Sequence, residues 1–137
     1  MIFRRKILAA AFTMQTSVAL ACGYCVEDKI AATYDHAVVT RALAQKHQVA
    51  FFHVEGSLAA GAPGRRLLER AAAGTPGVDA GTVRVSEDNL TISFAFDPLR
   101  SPLGGVQGRL EKRLGGQVSL MPLRVMDRPG DLKTVSR

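Results

Sequence analysis

Glu87-Asp88-Asn89-Leu90-Thr91-Ile92-Ser93-Phe94-Ala95-Phe96-Asp97-Pro98 is the stretch that decides the fold. Leu90, Ile92, Phe94 and Phe96 alternate with Thr91, Ser93 and Ala95, the period-two pattern of a half-buried strand. Asp97-Pro98 closes that strand. Glu87-Asp88-Asn89 is a turn leading back to a second strand at Thr82–Ser86, with Val83 and Val85 on one face. Downstream, Ser101 reads as a helix cap and Pro102 as a first helical residue. Leu103, Val106, Leu110 and Leu114 form that helix's apolar stripe, and Gly115-Gly116 stops it. Gln117–Val125 is a last strand, in which Pro122 marks an edge or a bulge.

Upstream, Val49–Glu55 is a strand with Ala50, Phe52 and Val54 on one face and Phe51, His53 and Glu55 on the other. A loop of small residues, Gly56–Ala62, precedes a helix opened by Pro63. Leu67, Leu68, Ala71 and Ala72 are its apolar face, and Gly74 with Pro76 ends it. The order strand, helix, strand, strand, helix, strand predicts an α+β domain: a ferredoxin-like βαββαβ sandwich over residues 48–126, with two helices on one face of a four-stranded antiparallel sheet. Ahead of it, the run from Val26 to Lys46 has no Gly or Pro. Val26, Ile30, Tyr34, Ala37, Val38 and Ala42 share one stripe at helical spacing, and Glu27 and Asp28 fall in the opening turn, where the helix dipole favours acids. One extra N-terminal helix is predicted, lying against the sheet face that carries Phe51, His53, Thr91, Ser93 and Ala95.

Residues 1–21 read as an export signal: a basic start (Arg4, Arg5, Lys6), an apolar stretch from Ile7 to Leu20 and the small residues Ala19-Leu20-Ala21. The stretch is too short and too interrupted for a permanent span of about 20 residues. The periplasm is the expected compartment. Val18–Cys22 also fits a loose lipobox, which would place a lipid on Cys22 and the protein on the envelope membrane. Lipoprotein signals prefer Leu where this chain has Ala19, so ordinary cleavage is the reading adopted. Removing the leader takes the net charge from +6 to +3. The basic residues that remain are scattered, and with two tyrosines and no tryptophan there is no stacking platform, which excludes nucleic acid as the expected partner. Residues 127–137 read as a flexible polar tail.

Residues 75–116, from Thr75-Pro76-Gly77-Val78 through Phe94-Ala95-Phe96-Asp97-Pro98 to Leu114-Gly115-Gly116, resemble the second half of a heavy-metal-associated domain. That family has Gly-Val before its second strand, a third strand ending in Asp-Pro and a helix ending in Gly. The resemblance covers about residues 48–126 and implies the ferredoxin-like fold and soft-metal binding. The family's ligands are a Met-x-Cys-x-x-Cys in the loop after the first strand. The matching loop here, Val54–Ala62, has neither Cys nor Met, so no family ligand carries over to it.

The sulfurs stand elsewhere, in Cys22-Gly23-Tyr24-Cys25. A two-residue gap lets two thiolates chelate one soft ion, Cu(I) or Zn(II), or close a short reducible disulfide. Haem attachment needs His next, where Val26 stands, and a thioredoxin-like site needs a preceding strand for which the leader leaves no room. A tight turn at Gln48 would set one helix antiparallel to the first strand, returning the cysteine pair to residues 55–62. On that geometry His53 is the third candidate ligand. His36 is about 16 Å along the helix from Cys25, His47 reads as a solvated turn residue, and Met121 and Met126 as core or tail residues. The α-amine of Cys22 is a further donor if cleavage falls before it, and Tyr24 would pack against or shield the thiols. No Ser-His-Asp set, phosphate loop or paired carboxylates appear, so no enzyme and no organic cofactor are expected. The expected function is that of an exported soft-metal carrier or sensor using Cys22, Cys25 and His53. An envelope adaptor or lipoprotein with a protein partner, or a thiol–disulfide redox protein, is the alternative.

Overall fold

The computed structural model describes residues 21–129, with side chains from Val26 onward. Residues 1–20, all but the last residue of the expected export signal (1–21), and residues 130–137, most of the expected tail, lie outside the described residues. The chain is an α+β protein. Its elements are α1 (Ala21–Thr33), α2 (His36–Ala44), β1 (Gln48–Gly56), α3 (Ala62–Ala73), β2 (Arg84–Ser86), β3 (Thr91–Phe96), α4 (Leu103–Arg113) and β4 (Val118–Met126). The four strands form one antiparallel sheet in the order β2-β3-β1-β4.

Alternation along β1 and β3 divides the core in two. Ala50, Phe52, Val54, Ile92, Phe94 and Phe96 pack under α3 and α4 with Leu68, Ala72, Val106 and Leu110. Phe52 stacks on Phe94 at 5.6 Å between ring centroids, and Phe96 meets Phe94 edge-on at 6.5 Å, the offset geometries that aromatic quadrupoles favour. On the opposite face, Val49, Phe51 and Ala95 pack under α1 and α2 with Ile30, Val39, Ala42 and Met126. The sheet is covered on both sides, so every residue of β3 is buried.

Three expectations are corrected. The single helix over 26–46 is two helices, broken at Asp35. Asp35 is extended (φ −122°, ψ 110°), and its Oδ1 accepts from the amides of Ala37 and Val38 at 3.0 and 3.2 Å, the geometry of an N-cap. The strand expected to begin at Leu90 begins at Thr91. Leu90 is left-handed (φ 49°) and 44% exposed, and its carbonyl accepts from the Val54 amide at 2.7 Å. Cross-strand bonding thus overrides the alternation by one residue. The third correction is the path of α1, which does not run antiparallel to β1 but crosses all four strands.

β1 and β4 lose register between Phe51 and Phe52. Pro122 sits close by, on a strand with no neighbour on its outer side, where its missing N–H leaves no ladder bond unmade.

Candidate functional site

The contacts of α1 follow the strand order. Glu27 pairs with Arg124 on β4, and Lys29 reaches His53 on β1. The Thr33 carbonyl accepts from Ser93 Oγ on β3 at 3.1 Å, and Asp35, just beyond the helix, pairs with Arg84 on β2. Ile30 is fully buried between these contacts. The start of α1 therefore lies on the β4 side of the sheet and its end on the β2 side. Cys22 and Cys25 belong to the helical backbone of α1 rather than preceding it. Their sulfurs lie outside the described side chains, and so does Tyr24.

His53 stands at the end of β1, on the face that α1 covers. Lys29 Nζ lies 3.1 Å from His53 Nδ1 and donates to the Asn89 carbonyl at 2.8 Å. Nδ1 is also 3.0 Å from the Leu90 carbonyl. One nitrogen cannot serve both neighbours. Protonated, it donates to Leu90; bare, it accepts from Lys29. The tautomer decides whether Nε2 keeps a lone pair for a metal. A ligating imidazole holds its other N–H on a carbonyl or carboxylate, and the Leu90 carbonyl is such an acceptor.

Beside His53, a cleft of 430 Å³ opens between the β1–α3 loop and the β2–β3 turn. Its lining includes Glu55, Leu58, Gly61, Arg65, Glu87 and Leu90, with Leu68 behind. Arg65 and Glu87 face each other there at 4.0 Å. The loop is held close: a Cβ on Gly56 (φ 109°) would meet the Gln117 carbonyl oxygen at 2.1 Å, and one on Gly64 would meet that of Ala59 at 1.9 Å.

A second polar cluster stands at the opposite end of β1. His47, expected to be solvated, is half-buried between two carboxylates. Nδ1 is 2.6 Å from Asp79 Oδ2, and Nε2 is 3.8 Å from Asp97 Oδ2. Together with Arg100 and Ser101 they line a cleft of 480 Å³. Nothing local signalled this group, because it joins three turns distant in sequence.

The remaining candidates separate. His36 is exposed on α2, within 3.3 Å of the Tyr34 hydroxyl and 3.5 Å of the Thr40 hydroxyl. Burial and then the charge of Asp35 raise the pKa of Tyr34 above its ordinary value. Met126 is fully buried in the core under α1 and α2, whereas Met121 is neither core nor tail: it is 48% exposed on β4, paired in register with His53. Among the described residues, no three His, Cys, Asp or Glu side chains are grouped to hold a metal ion, and no helix is long and apolar enough to cross a membrane. No protein-family model, curated protein or solved structure matches the chain.

Proposed function

We propose that this is an exported, periplasmic soft-metal-binding protein, a carrier or sensor whose ligands are the thiolates of Cys22 and Cys25 with His53 as the nitrogen donor. Its body, on this reading, is a ferredoxin-like domain similar to heavy-metal-associated domains. The strand order and the two strand-helix-strand crossovers support that assignment. The observation that carries the metal reading is the contact of Lys29 with His53. Position 25 lies one turn before position 29 on the same side of α1, and position 22 nearly another turn before that. That spacing supports reading both cysteines toward the His53 end of the sheet. Two thiols three residues apart on a helix suit bidentate capture of Cu(I) or Zn(II), releasing their protons on binding.

The test is anaerobic titration of the reduced exported chain with Cu(I) and, separately, Zn(II), repeated on Cys25→Ser. Stoichiometric binding lost in the variant supports the reading; equal binding in both ends it. Intact mass of the protein from the cell envelope completes the test. Free thiols are expected, and a fatty acyl chain on Cys22 would favour the lipoprotein alternative.

A further inference from the structure

We infer that Gln107 and Glu111 form a strap that closes the β4 edge of the sheet to strand pairing, and so keeps the chain from associating edge to edge with a second copy of itself. Among the described residues, β2 and β4 are the two outer strands. β2 has three residues, too few to template a partner, whereas β4 has nine. An outer strand of that length presents a row of backbone donors and acceptors on which another strand can pair.

The register shows which groups these are. In an antiparallel pair, successive residues turn their amide and carbonyl toward one neighbour and then toward the other. The Val54 amide turns toward the β3 side, donating to the Leu90 carbonyl at 2.7 Å. Val54 is the partner of Leu120, so Leu120 turns its N–H and C=O away from β1, outward. Both groups are taken. The Leu120 amide donates to Glu111 Oε1 at 2.8 Å, and the Leu120 carbonyl accepts from Gln107 Nε2 at 2.8 Å. Gln107 Nε2 also donates to Glu111 Oε1 at 3.3 Å, which closes the ring. The two side chains stand one turn apart on one side of α4. They offer one acceptor and one donor, as the backbone of a neighbouring strand would. The next outward station is Pro122, which has no N–H to give. Two successive stations of β4 are thus closed by different means, one occupied and one without a donor. Ser119, Met121 and Pro122 are exposed, so the stretch is reachable from solvent.

The experiment is analytical ultracentrifugation, with amide hydrogen exchange, on the purified chain with its cysteines kept reduced. The wild type is compared with the double variant Gln107→Ala, Glu111→Ala and with Glu111→Gln. The double variant should self-associate at least about tenfold more tightly than the wild type, the effect of one or two backbone hydrogen bonds released for pairing. Exchange along β4 should slow as it associates. Glu111→Gln removes the same charge but keeps the acceptor, and should stay within about twofold of the wild type. A folded double variant that associates no more than the wild type overturns the inference. Association that leaves β4 exchange unchanged does so too, as does equal association in Glu111→Gln, which would assign the effect to charge. Exchange in the wild type needs no substitution. Its Leu120 amide should be protected although it faces away from the sheet, and exchange at the rate of an open amide overturns the inference whether or not the variant folds.

Discussion

Asp35 and Arg84 join the break between α1 and α2 to the β2 edge of the sheet. Arg84 Nε and Nη2 both lie 3.0 Å from Asp35 Oδ2, while Oδ1 caps α2. One carboxylate thereby ends one helix's path, starts the next and anchors both. Asp35→Ala is expected to lower stability by about 1–2 kcal/mol, mostly from the lost cap, because exposed ion pairs contribute little. Asp35→Asn, which can still cap, is expected to lose less. Chemical denaturation of the two variants checks the order.

The same residue sets an acid limb. The Val38 amide, and then Arg84, hold the Asp35 carboxyl below its ordinary value of 3.8 against the opposing effect of burial. The unfolded chain therefore takes the proton first as pH falls. The contribution is complete above about pH 4, is lost as pH drops through the folded-state value, and levels off once both states are protonated. A series of unfolding curves between pH 5 and pH 2 (roughly the window this depression spans) should show a shallower acid loss in Asp35→Asn than in the wild type.

Gly108 lies on the exposed side of α4, where a Cβ would meet nothing within 4 Å. Gly108→Ala is expected to raise stability by about 0.5–1 kcal/mol through the backbone entropy of the unfolded chain. Gly56→Ala reverses the sign, because its φ of 109° and the Gln117 carbonyl leave no room for a methyl group. Thermal melts of the two single variants should move in opposite directions.

Lys29→Met removes the only side-chain donor placed on His53 Nδ1 among the described contacts. The ring is then expected to settle with its proton on Nδ1, donating to the Leu90 carbonyl, and with a lone pair on Nε2. Long-range nitrogen-15 correlation spectra of the imidazole at neutral pH separate the tautomers. An unchanged spectrum would mean that Lys29 does not govern the ring.

Period-two alternation from Thr91 to Phe96 and at Ala50, Phe52 and Val54 made the sheet and its principal core legible, because one-face burial writes itself into consecutive residues. The helix at 26–46 was harder. Its stripe continues across the break, and Asp35 looks like one more polar residue unless Arg84, 49 positions away, is known to face it. Leu90 matched its strand pattern by residue type and departed from it by hydrogen bonding. The clasp of His47 by Asp79 and Asp97 was invisible for the same reason, as it depends on which turns share an end of the sheet. At the candidate site, the cysteine spacing and His53 were readable in one dimension. The partnership of His53 with Met121 was not, since it depends on strand register.

The pairing of Glu27 with Arg124 links positions 97 residues apart. A chain emerging N-terminus first makes α1 early, yet that helix has no floor on its β4 side until almost the last structured segment arrives. Closing so long a loop is among the slowest kinds of contact to form. This helix consequently stays half-docked until β4 arrives, and the last strand decides when that face of the sheet is sealed.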